Sequence, residues 1–145
     1  LPGDNADTPR GIGTYLSREP ASGLGIRDFR YSRDMATCPW TFAMLPSAPV
    51  VNANGDPGIY TTGQIWTAML WDLYWNFVDL YGYDADWTNT ESGNFKAAQL
   101  IFDGMRQTTP SPGMVDARDG ILSADELTYD GLHSCLIWET FAKFH

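Results

Sequence analysis

Residues 63–82 read GQIWTAMLWDLYWNFVDLYG, and the fold turns on how this stretch is read. At helical spacing its polar residues Gln64, Asp72, Asn76 and Asp79 fall on one narrow stripe, and nearly everything else is apolar or aromatic. A helix on a protein surface carries the opposite proportions, an apolar stripe on a polar background, so this one is predicted to be surrounded by protein. A membrane span needs about 20 apolar residues. Two aspartates and an asparagine in the second half disfavour that, since each charge at bilayer depth costs roughly 2.5–3.5 kcal/mol. Thr61 and Gln64 have the spacing of a capping box, and Tyr60 with Ile65 that of a hydrophobic staple. Gly82 supplies a left-handed residue to end the helix.

Outward from that helix, the C-terminal side continues in helical pattern. A second helix is expected to start near Ser92 and stop before Thr108, with Phe95, Ala98, Ile101, Phe102 and Met105 on its apolar face. A third runs over about residues 114–127, apolar at Met114, Ala117, Ile121 and Ala124. A fourth follows Asp130-Gly131 and carries Leu136, Ile137, Trp138, Phe141 and Phe144. Short connections between them imply antiparallel neighbours. Residues 1–60 differ: they are dense in Gly, Pro, Ser, Asp and Arg and hold no long periodic run. The predicted architecture is all-α, with an irregular segment (1–60) packed on a helical body (61–145) built around the buried helix at 63–82. An irregular segment of that length is usually functional or completed by another part of a fold.

The chain has 145 residues, enough for one domain with a substantial core. Its 18 acidic residues against 9 lysines and arginines give a formal charge of −9, which disfavours nucleic acid and anionic membrane surfaces as partners. Leu1 stands where a start methionine would, the mark of a processed product or an excised piece. The inventory for chemistry is thin. His133 and His145 are the two histidines, and neither H-E-x-x-H, C-x-x-C, G-x-S-x-G nor a phosphate-cradling glycine loop is present. Asp84, Asp86, Asn89 and Glu91 have a faint likeness to a calcium loop but lack its central glycine and ligand spacing, which favours a solvated acidic connector. His133, beside a helix start, is expected to cap it or lie on the surface. By its residues alone the chain is not a self-sufficient enzyme.

Four stretches taken together resemble the C-terminal half of the fungalysin-type zinc metallopeptidases, secreted, thermolysin-related gluzincins. They are residues 25–35 (GIRDFRYSRDM), 63–75 (GQIWTAMLWDLYW), 115–125 (VDARDGILSAD) and 135–143 (CLIWETFAK). The resemblance implies a secreted two-lobed enzyme acting on peptide or protein substrates, with zinc in the cleft between lobes. It also implies that the zinc histidines, the catalytic glutamate and the third ligand belong to an N-terminal lobe that precedes this segment, so that this chain itself supplies no metal ligand. Arg27 then resembles the arginine that binds a substrate carbonyl on the primed side, a task suited to a planar guanidinium with several donors in a fixed fork. Tyr60 stands where the family usually has the histidine that stabilises the tetrahedral oxyanion. A phenol can replace an imidazolium as a hydrogen-bond donor but not in charge. Asp56 resembles the acid that orients that histidine.

The sequence departs from the family pattern at Tyr60, at the absent cysteine near Pro110 whose usual partner matches Cys135, and at the Phe144-His145 end. With that partner gone, a Cys38–Cys135 disulfide is the expectation in an oxidising environment, the alternative being two separate buried thiols. Three functions follow: a lobe that completes the peptide cleft of a zinc endopeptidase, a catalytically silent peptide- or protein-binding module derived from it, or a detached scaffold segment with no activity alone.

Overall fold

The computed structural model describes residues 3–47 and 58–145, and Asp56 lies outside them. The order of elements is a 3-10 helix at Phe42–Ser47, then α1 (Ile59–Tyr81), α2 (Gly93–Gln107), α3 (Met114–Tyr129) and α4 (Ser134–Ala142). No strand occurs among the described residues; two isolated bridges, Arg10 with Tyr31 and Ile12 with Gly25, are the only extended pairings. The fold is therefore all-helical with an irregular N-terminal segment. Among the described residues no helix is long and apolar enough to cross a membrane. The chain divides within α1 into two compact units, Leu1–Asp72 with Phe144–His145, and Leu73–Lys143.

α1 has the burial its sequence requires. Ile65, Leu73 and Phe77 are each at 0% exposure, and the polar positions Gln64 and Asp72 are buried too. Its start differs from expectation: the helix begins at Ile59, so Thr61 and Gln64 lie inside it rather than at its cap. The staple is absent as well, since Tyr60 is 64% exposed while Ile65 is fully enclosed. Gln64 is drawn instead to the irregular segment, where it finds better partners than a cap would offer. Gly82, at φ +81°, follows the last turn as predicted.

In the first unit the irregular chain is tied down by polar contacts as much as by its core. Arg33 Nε donates to Asp72 Oδ1 at 3.0 Å, and Arg10 holds Asp4 through two hydrogen bonds, one of them Nε to Oδ2 at 2.7 Å. Arg10 and Tyr31 exchange backbone hydrogen bonds of 2.9 and 2.8 Å. Tyr31 lies in ring contact with Trp71, centroids 6.1 Å apart, and burial pushes its phenol above the ordinary value. Trp40 meets Phe29 edge-on at 5.3 Å. The C-terminal residues join here, with the Phe42 N–H donating to the Phe144 carbonyl at 2.8 Å.

In the second unit α2 packs along α3, and α3 on α4. The face that α2 buries is not the bulky one. Gly93, Asn94, Lys96, Ala97, Leu100 and Gly104 are enclosed, whereas Phe102 is 63% and Met105 59% exposed. The reason is close approach: a Cβ on Gly104 would lie 2.9 Å from the Ile121 Cα, and one on Gly120 would lie 2.6 Å from the Gly104 carbonyl oxygen. The two backbones meet where side chains are smallest, and the bulky row is turned away. Asn76 of α1 donates to Thr140 of α4 at 2.7 Å, a use for one more residue of its polar stripe.

The expected Cys38–Cys135 disulfide would join the two units, Cys38 being buried in the first and Cys135 exposed on α4 in the second. Cys38 is at 1% exposure inside its unit.

Candidate functional site

Arg27 and Tyr60 come together, although 33 positions of sequence separate them. The Arg27 guanidinium carbon lies 5.5 Å from the centroid of the Tyr60 ring, a cation–π arrangement. Tyr60 stands in the first turn of α1 and is open to solvent, and Arg27 is half-buried. The pair is thus an exposed donor set at the positive end of a 23-residue helix, where negative charge is favoured.

The loop that carries Arg27 is fixed on three sides. The Gly25 N–H donates to Glu19 Oε2 at 3.0 Å, and that bond is the first cause holding the Glu19 carboxyl below the usual range. The Ile26 N–H donates to the Ile12 carbonyl at 2.9 Å. Gly25 itself is required, because its φ is +74° and a Cβ there would lie 2.1 Å from the Ile12 carbonyl oxygen. On the far side, the Asp28 N–H donates to Gln64 Oε1 at 2.8 Å, and Gln64 Nε2 donates to Asp28 Oδ2 at 2.8 Å. Gln64 has only 4% exposure, so its end of both bonds is shielded from water, while Asp28 lies at the exposed end. What the arrangement can do chemically is donate: a guanidinium and a phenol hydroxyl, both presented at one rim, suit a carbonyl oxygen or an oxyanion.

A second polar cluster escaped sequence reasoning. His133, expected to cap a helix or lie on the surface, occupies the N-cap position of α4 without a side-chain cap bond and is only 3% exposed. Its backbone N–H donates to Asp125 Oδ2 at 2.9 Å, its Nδ1 lies 2.6 Å from Asp125 Oδ1, and its Nε2 lies 2.6 Å from the Tyr81 hydroxyl. Phe77, Tyr81 and Tyr129 surround the ring at centroid distances of 4.8, 5.5 and 4.9 Å. Lys96 covers Tyr81 and Tyr129 at 5.3 and 5.1 Å and pairs with Glu91 at 2.9 Å. The carboxyl–imidazole–phenol order has the look of a proton relay. Its enclosure leaves no ring face for a substrate, so its work is to lock the turn between α3 and α4. The available signal was the eight-residue spacing of Asp125 and His133 across the Asp130-Gly131 turn, where Asp130 takes the left-handed conformation that ends α3.

The acidic connector closes on itself. Asp84 Oδ2 accepts from Asn89 Nδ2 at 2.8 Å and its Oδ1 from the Asp86 N–H at 2.9 Å; Asp86 in turn accepts from the Thr88 N–H. These bonds hold both carboxyls below the usual range, Asn89 being the main cause for Asp84 and the Thr88 N–H for Asp86. A cavity of about 170 Å³ lies beside it, lined by Tyr81, Gly82, Tyr83, Asp84, Asn89, Glu91 and Ser92. Among the described residues no three His, Cys, Asp or Glu side chains gather closely enough to hold a metal ion.

The sequence profile of the fungalysin metallopeptidases (M36) matches residues 2–145. The chain is 34% identical over 149 residues to the extracellular metalloproteinase MEP of Neosartorya fischeri, an alignment covering 98% of this chain and 22% of that protein. It is 34% identical over 151 residues to extracellular metalloproteinase 4 of Trichophyton soudanense, covering 98% of this chain and 36% of the relative. The corresponding protein of Trichophyton tonsurans is 34% identical over 150 residues, 97% of this chain and 22% of its own length. The chain therefore spans between a fifth and two fifths of the length of these curated relatives.

Proposed function

The chain belongs to the fungalysin metallopeptidase family (M36), and from that premise we propose that it is the C-terminal lobe of a secreted zinc-dependent metalloendopeptidase, completing the cleft in which a peptide is bound. The observation that carries this reading is the Arg27–Tyr60 pair, two donors from distant segments brought to one exposed rim at the start of α1. Arg27 binds a carbonyl oxygen of the substrate on the primed side. Tyr60 donates its hydroxyl hydrogen to the oxygen that becomes negative as the scissile carbonyl turns tetrahedral. Secretion is supported by relatives that are named extracellular.

Zinc does not fit the described residues of this chain, which offer no cluster of three metal-ligating side chains. Under this proposal the metal and the general base are supplied by an N-terminal lobe of the same protein. The part played by this chain is to bind, to orient and to donate hydrogen bonds.

The test is made on the longer protein that contains these residues, with a quenched fluorescent peptide as substrate. Loss of one oxyanion donor typically lowers turnover by about 10²–10³. A neutral phenol does part of that work, so Tyr60→Phe is expected to lower kcat by about ten-fold or more with an unchanged melting temperature. Unchanged turnover would leave Tyr60 without a catalytic part. A protein that binds the peptide and never cleaves it would replace the endopeptidase reading with that of a silent peptide-binding module.

A further inference from the structure

We propose that Asp28 and Gln64 are positioning residues that aim Arg27 at the substrate, acting as a two-bond latch between the irregular segment and α1; this rests on the peptide-cleft reading above. Tyr60 and Gln64 are four residues apart in α1 and therefore share a face of the helix. The ring that receives Arg27 and the amide that holds the loop are one turn apart on the same surface. Residue 28 uses both ends of that amide, with its N–H on Oε1 and its Oδ2 on Nε2, each at 2.8 Å. Two parallel bonds fix rotation as well as position, which a single bond does not.

The peptide plane held in this way is the one that joins Arg27 to Asp28. Fixing it sets the direction in which the Arg27 side chain leaves the backbone. The preceding planes are held by Glu19 at Gly25 and by Ile12 at Ile26. Every backbone N–H around Arg27 at positions 25, 26 and 28 thus has a named acceptor, and the guanidinium arrives over Tyr60 at 5.5 Å as a consequence. A flexible arginine on a loose loop would spend its binding contribution on ordering itself, whereas a held one does not. The chemistry of the latch is also exchangeable. A carboxylate and a primary amide face each other, so swapping them between the two positions preserves both bonds.

The experiment uses the 145-residue chain, isotope-labelled, and reads the ring-current shift that Tyr60 imposes on the Arg27 side-chain protons. Tyr60→Ala identifies that shift by abolishing it. Gln64→Ala and Asp28→Ala are each expected to abolish it as well, and the double exchange Asp28→Asn with Gln64→Glu to restore it. Asp28 lies on an exposed loop, so its variant remains informative even where the Gln64 variant fails to fold. A purely structural latch would lower the melting temperature of both alanine variants and leave the Arg27 shift untouched, and that result overturns the proposal. In the longer protein, KM for a peptide should rise about ten-fold in Asp28→Ala with kcat nearly unchanged, the loss of one charge-assisted hydrogen bond. A latch-dependent Arg27 shift without peptide hydrolysis would sustain the latch and sink the peptidase reading. Hydrolysis with a KM indifferent to Asp28→Ala would do the reverse.

Discussion

Replacing Asp125 by alanine removes the centre of the buried cluster that closes the α3–α4 turn. Two hydrogen bonds end on its carboxyl, from the His133 backbone N–H at 2.9 Å and the imidazole Nδ1 at 2.6 Å, and the residue is at 0% exposure. A hydrogen bond to a charged partner contributes about 1.5–3 kcal/mol, and its buried survivors are left without replacement by water. Two such losses add to about 3–6 kcal/mol, and removing one side of a buried ion pair costs about 3–5 kcal/mol, so a loss of about 3–5 kcal/mol is expected. Against a total stability of about 5–15 kcal/mol that is a large fraction. At roughly 3 °C per kcal/mol for a chain of this size, the melting temperature should fall by about 10–15 °C. Asp125→Asn should cost less. Its amide oxygen still accepts the backbone N–H, while its NH2 faces Nδ1 and obliges the ring to carry its proton on Nε2, from which it donates to the Tyr81 hydroxyl. Scanning calorimetry of the three proteins at pH 7 is the assay. If Asp125→Ala melted within about 2 °C of the parent, less than about 1 kcal/mol would be at stake and the cluster would not hold the turn.

Two further outcomes are expected. Arg10 holds the Asp4 carboxyl down to about 2 from its ordinary 3.8. A depressed folded value means stability that is present above the ordinary one and lost as pH falls through about 2. Asp4→Asn should therefore lower the melting temperature by a few degrees at pH 7, and the gap should close as pH approaches 2. A gap that persisted at that acidity would remove the pairing as its cause. Thiol titration without reductant should find Cys135 reactive in the folded protein and Cys38 reactive only after unfolding. A denatured, unreduced chain with no titratable thiol would establish the disulfide instead.

The helices could be read from the sequence because each depends on a local property. α1 has too few polar residues to face water, and the Thr108–Gly113 and Asp130-Gly131 breaks end α2 and α3 by backbone chemistry that any neighbour-blind reading detects. Which face each helix buries was less accessible. For α2 the bulky row Phe95, Phe102, Met105 satisfies the periodicity rule, but that rule counts hydrophobicity and ignores distance. Gly104 and Gly120 let two backbones approach, and the dispersion gained along that close seam outweighs burial of Phe102 and Met105. Small residues at matched positions on two helices carry the signal, yet it becomes visible only once the pair of helices is known.

The same distinction divides the candidate site. Arg27 and Tyr60 were named by resemblance, which sets both beside one bound peptide, but the intervening residues carry no sign of what holds the loop there. Gln64 illustrates why. Its spacing from Thr61 fits a capping box, a local use worth about 1 kcal/mol. In the folded chain it faces Asp28 across 36 positions and makes two bonds there instead of one at the cap. His133 does stand at the N-cap position of α4 as expected, but it is buried there and its side chain turns to Asp125 and Tyr81 rather than to the helix end. Polar side chains with two possible partners are the residues whose roles a sequence hides, because the choice depends on which partner is shielded from water. In this chain the shielded partners are Asp125 for His133 and Asp72 for Arg33, while for Gln64 it is the amide itself that is buried and Asp28 that reaches it with two bonds; each choice fixes a segment that propensity alone would leave loose.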